Sequence, residues 1–135
     1  MLIRHRMSRF EVVAALPHYM GYQDLEVWNA AVELAAAVHE INKLLPRDER
    51  FALIDQLRRA SISVSLNIAE GSASASPREF ARFIDIARGS LREVETCLVL
   101  ALRFQYLSRE QLTEAHALIA RVTAMLNAMR RRLRS

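Results

Sequence analysis

Apolar residues recur at alternating spacings of three and four along four stretches of the chain. This spacing places them on one face of an α-helix, so the sequence predicts helices over about 25–45, 48–70, 77–105 and 109–134. The first stretch shows the pattern most regularly, with apolar residues at Val27, Ala31, Leu34, Val38, Ile41 and Leu45.

Residues that begin or end helices separate the four stretches. Asp24 and Ser76 are predicted N-caps, and Ser76 is followed by Pro77 and Glu79, the pattern of a capping box with proline at the first helical position. Ser108 and Gln111 repeat the capping-box pattern before the fourth helix. Gly71 is expected to terminate the second helix as its C-cap glycine.

Short connections between long helices favour antiparallel neighbours. The sequence therefore predicts an all-α fold, an antiparallel up-down four-helix bundle over residues 22–135. Residues 1–21 do not share the helical pattern, and we expect a mobile N-terminal extension or a short helix there.

Two sets of apolar residues exceed what one bundle face can bury. Residues 97–102 are apolar without interruption and so cover the whole circumference of the third helix. Trp28 and Val32 form a second stripe on the first helix. A broad core face would explain both sets, but we favour an oligomer interface. The predicted interface residues are Trp28, Val32, Val99, Leu100 and Leu102.

Composition and charge narrow the possible functions. The chain has 135 residues with three Gly and three Pro, too few breakers for a β-sandwich or β-barrel. A single cysteine, Cys97, excludes an intrachain disulfide. No uncharged apolar run approaches the ~20 residues of a membrane span, so we expect a cytoplasmic protein with no membrane partner.

The formal net charge of +4 is concentrated at the chain ends. Residues 24–129 hold 12 basic and 14 acidic residues, so the central body is slightly acidic. The C-terminal arginines are therefore the predicted nucleic-acid contacts, although cations there also favour the helix dipole. They are Arg130, Arg131, Arg132 and Arg134.

An unusual set of polar residues lies on the second and third helices. Its members are Gln56, Arg58, Arg59, Asn67, Glu70, Arg88, Ser90 and Glu93. We expect Arg58 or Arg59 to pair with Glu93, and Asn67 and Glu70 to tie the two helices together. Such a network fixes helix register, and a binding surface is the alternative.

Candidate catalytic chemistry is sparse. No Glu-x-x-His pair supports a di-metal site, and residues 71–76 lack the second glycine and the lysine of a phosphate loop, so no cofactor or metal is expected. Arg109 and His116 have a spacing similar to that of bundle-shaped ribonucleases of the HEPN type, which gives the enzymatic alternative.

Several motifs together resemble a known family. They are Tyr22-x-x-Leu25-x-Val27-Trp28, Gln56-Leu57-Arg58-Arg59-Ala60-Ser61-x-Ser63, Asn67-Ile68-Ala69-Glu70-Gly71, Glu79-Phe80-x-x-Phe83 and Ile86-Ala87-Arg88-Gly89-Ser90-Leu91-x-Glu93. Over about residues 22–130 the chain resembles the 23S ribosomal RNA intervening-sequence proteins, to which the accessory variability protein of diversity-generating retroelements is also similar.

The resemblance implies a four-helix bundle that assembles as a homo-oligomer, commonly a pentamer. For the retroelement relative it implies a basic surface that binds nucleic acid and a reverse transcriptase. We therefore expect a non-enzymatic scaffold or adaptor that contacts RNA or a nucleic-acid enzyme. A purely structural oligomer with no nucleic-acid role is the remaining alternative.

Overall fold

The computed structural model describes residues 25–133, and within this range the fold consists of helices and connecting turns. The four α-helices are α1 (Glu26–Asn42), α2 (Leu53–Ser72), α3 (Pro77–Arg103) and α4 (Thr113–Arg132). Single 3₁₀ turns at Arg47–Glu49 and Glu110–Leu112 precede α2 and α4. The extension predicted at residues 1–21 and the N-cap predicted at Asp24 lie outside the described residues.

Consecutive helices pack against one another, and α4 returns to pack against α1. The helices therefore form a closed ring in chain order, and the prediction of an antiparallel up-down four-helix bundle is confirmed. The contact between α2 and α3 is the most extensive of the four. None of the helices in residues 25–133 has the length and apolar character that crossing a membrane would require.

The predicted apolar faces form the core. Completely buried side chains come from every helix: Leu34 and Val38, Leu57, Val64 and Ile68, Ile84, Val94 and Leu98, and Val122 and Leu126. Burying a side chain of this size contributes about 1.5–3 kcal/mol, so these contacts between the helices dominate the stability of the bundle.

Two helices begin later than the sequence predicts. Pro46 is extended and leads into a 3₁₀ turn, and Ala52 has a non-helical backbone, so α2 begins at Leu53 and not near Asp48. The capping box predicted at Ser108 does form, since Ser108 N–H donates to the Gln111 side chain at 2.9 Å. It caps the 3₁₀ turn that precedes α4, so α4 begins at Thr113 and not at residue 109.

The two boundary predictions near residues 71–79 have opposite outcomes. Ser76 caps α3 as predicted, because its hydroxyl accepts a hydrogen bond from Glu79 N–H at 3.1 Å. Gly71 was expected to end α2, and this is wrong. It is buried inside the last turn of α2 without a positive φ, and the helix continues to Ser72.

Candidate functional site

The α2–α3 contact, which we call the α2–α3 seam, contains much of the predicted polar set. Gln56 Nε2 donates to Glu93 Oε2 at 3.1 Å and connects the two helices. The predicted partners of Glu93 were wrong. Arg58 and Arg59 both pair with Asp55, at 2.8 and 2.9 Å, within α2. The shorter glutamine reaches Glu93 because it lies on the α3 side of α2, whereas both arginines point towards solvent.

Serine hydroxyls form the middle of the seam. Ser63 Oγ lies 2.8 Å from Ser90 Oγ, and Asn67 Nδ2 donates to Ser63 Oγ at 3.0 Å. Asn67 thus supports the inter-helix bond indirectly, where a direct tie to α3 was predicted. The side chain of Glu70, predicted to make a similar tie, is exposed and makes no hydrogen bond or ion pair among residues 25–133. Its charge nevertheless contributes, after the hydrogen bond and the charge of Glu79, to raising the pKa of Arg82 on α3. Ser63 was absent from the predicted set, although the motif Ala60-Ser61-x-Ser63 contains it.

Gly71 closes the seam at the end of α2. A Cβ atom placed there would lie 2.8 Å from Phe83 Cβ and 2.9 Å from Phe80 Cδ1. No side chain fits at those separations unless the helices move apart. The glycine is therefore required by close packing, which the sequence pattern could not distinguish from a helix terminus.

The contact between α3 and α4 is of a different kind. Asp85 Oδ1 accepts from Arg130 Nε at 2.9 Å and from Arg88 at 3.2 Å. The hydrogen bond from Arg130, and then that from Arg88, lowers the pKa of the Asp85 carboxyl. Arg88 therefore lies on the α4 side of α3. A surface pocket of about 150 Å³ lies between α3 and α4 beside it.

The C-terminal arginines are divided by this ion pair. Arg130 is held by Asp85, whereas Arg131 and Arg132 are exposed and have no carboxylate partner among residues 25–133. Arg134 lies outside the described residues. Arg131 and Arg132 are therefore the predicted nucleic-acid contacts that the structure leaves accessible.

Three of the five residues predicted at the oligomer interface pack in or against the core of the bundle. Trp28 is buried, and Val32 and Leu102 pack against the core from its edge. The prediction of Trp28 as an interface residue is therefore wrong, and this side chain belongs to the broad core face that was the alternative. Val99 and Leu100 remain exposed, at 49% and 38%.

Besides Val99 and Leu100, a second group of large apolar side chains is exposed on the bundle, and the sequence did not predict it. Ile62 and Leu66 are one turn apart on α2, and Ile86 is exposed on α3. The Ser63–Ser90 bond sets the register and brings Leu66 and Ile86 to the same level across the seam. We call Ile62, Leu66 and Ile86 the apolar outer face. Its spacing was visible in the sequence, but only the structure shows that these residues point away from the core.

The loops at one end of the bundle also form a common surface. The α1–α2 loop and the α3–α4 loop meet there, where Tyr106 Oη donates to Glu49 Oε2 at 3.0 Å. This contact raises the pKa of Tyr106, chiefly through the hydrogen bond to the carboxylate. We call residues 43–52 and 103–112 the loop end.

Arg109 and His116, the candidate catalytic pair, lie at and beside the loop end. Both are exposed, and neither side chain makes a hydrogen bond or an ion pair among residues 25–133, although the Arg109 carbonyl accepts from the Thr113 hydroxyl at 3.4 Å. Nothing in this range therefore fixes the tautomer or the orientation of His116. The same range contains no group of three His, Cys, Asp or Glu residues placed to hold a metal ion.

Comparison with known proteins agrees with this fold. A family model described as 23S rRNA-intervening sequence protein matches residues 23–128. A solved structure from Bacteroides thetaiotaomicron, described as a protein with unknown function from the S23 ribosomal protein family, is 25% identical with a TM-score of 0.71. That similarity covers 77% of this chain and 97% of the other. A comparison with curated proteins gives no match.

Proposed function

The chain belongs to the 23S rRNA-intervening sequence protein family, and from this premise we propose that it is a non-enzymatic scaffold or adaptor. It assembles with copies of itself, as a pentamer by family resemblance, and contacts RNA through its C-terminal arginines. A cytoplasmic location follows from this role.

The apolar outer face carries the proposal of self-association. Ile62, Leu66 and Ile86 are exposed by 45%, 57% and 40% on adjacent helices. Large apolar side chains grouped on a surface favour burial against another chain. In a cyclic pentamer each interface joins two different surfaces of the chain, so this face would be buried against another surface of a neighbouring copy.

Light scattering of the Leu66→Glu variant tests self-association. We expect the wild type to have the mass of an oligomer at micromolar concentration and the variant to have a lower mass, since a buried carboxylate opposes association. Ala124→Glu, an exposed position on α4, is the matched control and should keep the wild-type mass. A monomeric wild type would refute the proposal.

Accessible cations at the C-terminus support RNA contact. Arg131 and Arg132 follow one another at the end of α4, free to bind phosphates. Fluorescence anisotropy with labelled RNA at low salt should show weaker binding by Arg131→Gln/Arg132→Gln, with a smaller dependence of affinity on salt. Glu114→Gln, at the opposite end of α4, should not weaken binding.

A ribonuclease assay tests the non-enzymatic part of the proposal. Wild-type protein should leave labelled RNA intact. Cleavage that is lost in His116→Ala would contradict it and favour the alternative based on Arg109 and His116.

A further inference from the structure

The loop end exposes two aromatic side chains. Phe51 is 83% exposed in the α1–α2 loop, and Phe104 is 51% exposed at the end of α3. Neither ring contributes to the core, whose end here is closed by Leu45, Leu107 and Leu112. Since the Tyr106–Glu49 hydrogen bond joins the two loops, both rings belong to one surface.

Both phenylalanines are held by neighbouring side chains. The Arg50 guanidinium lies 4.7 Å from the centroid of the Phe51 ring. Phe104 meets Tyr106 edge to face, with centroids 5.8 Å apart and planes at 73°. Gln105, which lies between Phe104 and Tyr106 in the chain, has a positive φ of 64°. The sharp turn at this residue brings the rings of Phe104 and Tyr106 together. Rings held in this way need less ordering when a ligand binds.

The charges around the rings are mainly positive. The loop end has five basic and three acidic residues. The remaining residues in the range 24–129 include seven basic and eleven acidic residues. Arg47, Arg103 and Arg109 have no carboxylate partner among residues 25–133. Glu49, one of the three acidic residues, already accepts from Tyr106. These cations are therefore available to an anionic ligand.

We propose that the loop end binds single-stranded nucleic acid, with unpaired bases stacked on Phe51 and Phe104 and phosphates bound by Arg47, Arg103 and Arg109. Every base has a π face, so such stacking needs no particular sequence, and arginines beside the rings bind the backbone. A duplex hides its base faces and gains only the phosphate contacts.

This proposal rests on the proposed function of RNA binding. It assigns a second contact with RNA to a surface separate from the C-terminal arginines. The 27 residues of α3 span about 40 Å, so the loop end and the C-terminal arginines lie at opposite ends of the bundle. Aromatic residues and arginine are also enriched at protein interfaces, so the oligomeric mass of the variants is measured alongside RNA binding.

Anisotropy with a fluorescein-labelled 12-nucleotide oligouridylate and with a 12-base-pair RNA duplex tests the proposal. Phe51→Ala/Phe104→Ala should bind the oligouridylate at least about thirtyfold more weakly than the wild type and bind the duplex unchanged. Leu44→Ala, which truncates another exposed apolar side chain of the loop end, is the control and should leave both affinities unchanged.

The salt dependence tests the arginines separately. For Arg47→Gln/Arg103→Gln, the negative slope of log affinity against log salt should become shallower. Its magnitude should decrease by about 0.7 for each phosphate contact that is lost with a single strand. The double phenylalanine variant should keep the wild-type slope. An unchanged slope in the arginine variant would overturn their role.

Each contrary outcome separates this proposal from the previous one. If the phenylalanine variant binds oligouridylate as the wild type does, while Arg131→Gln/Arg132→Gln binds weakly, the loop-end site is wrong and the C-terminal contact stands. If the wild type binds neither RNA, both are wrong. If the phenylalanine variant instead changes the oligomeric mass and not RNA binding, the rings contact another copy, and the loop-end site is again wrong.

Discussion

The two sides of α3 pack against their neighbours in different ways. Towards α2, a glycine and two serines allow a close approach, with Gly71 directly against Phe83 and Ser63 bonded to Ser90. Towards α4, the contact includes the partly exposed Asp85–Arg130 pair and is bordered by a surface pocket of about 150 Å³. The seam therefore tolerates little change of side-chain volume, whereas the α4 side tolerates more.

This difference explains what the family motifs encode. Asn67, Gly71, Ser90 and Glu93 all belong to the motifs that suggested the family, and all lie at or beside the α2–α3 seam. Their contacts fix the distance and register of two helices. The motifs therefore identify the fold, while the surfaces proposed to bind RNA, at the C-terminus and the loop end, lie elsewhere.

The largest expected effect comes from Gly71→Ala in the seam. The added Cβ would lie 2.8 Å from Phe83 Cβ, an atom that cannot rotate away, so α2 and α3 must separate. Overpacking of this kind costs about 1–3 kcal/mol, and the helix propensity of alanine recovers at most about 1 kcal/mol of it. Urea denaturation at fixed protein concentration should show a net loss of stability. Unchanged or increased stability would mean that the seam is looser than the structure shows.

Particular residues show how far the sequence predicts this molecule. The spacing of Leu57, Val64 and Ile68 is enough to place α2 in a bundle, because helical periodicity is a local property. The partner of Glu93 was not predictable, because it depends on the rotation of α2 about its axis and on a register that only packing determines. Gly71 shows the same limit, since a glycine near a helix end is consistent with both a cap and a close contact.

The loop end shows a different limit. Phe51 and Phe104 are 53 residues apart in the chain. Each could have been a core residue on composition alone, and their exposure follows from the late start of α2 and the end of α3. No local pattern predicts that two loops meet through Tyr106 and Glu49.

The second prediction concerns the hydrogen bond at the centre of the seam. Ser63→Ala and Ser90→Ala should each lower the free energy of unfolding by about 1 kcal/mol. The first leaves the Ser90 hydroxyl without its partner, and the second leaves the Ser63 hydroxyl with only the bond from Asn67. The double variant should lose less than the sum of the two, because no unpaired hydroxyl remains. A double-mutant cycle measures this coupling, and strictly additive losses would indicate that the two hydroxyls do not interact.

The third prediction concerns the outer surface of α3, which separates its two interfaces. Gly89 lies in mid-helix, and a Cβ there would meet no atom within 4 Å. Gly89→Ala should therefore raise stability by about 0.5–1 kcal/mol, opposite in sign to Gly71→Ala. The same denaturation experiment measures both. Gly89 is one turn from Ile86, so a loss of stability would mean that the proposed contact between copies extends over Gly89.

The smallest expected effect lies on the α4 side, in the ion pair of Asp85. Arg130 lowers the pKa of this carboxyl in the folded protein, so its stabilising contribution is present above the pKa of an unfolded aspartate and is lost as pH falls through the lower, folded value. The side chain is 46% exposed, so the contribution should be below about 1 kcal/mol.

Melting curves of Asp85→Asn and wild type should therefore differ slightly near pH 7 and converge below about pH 4. Glu95→Gln removes an exposed carboxylate of the same helix that has no ion pair among residues 25–133, and as the control it should leave the melting curves unchanged. A difference for Asp85→Asn that persists at low pH would mean that something other than its charge holds α3 against α4.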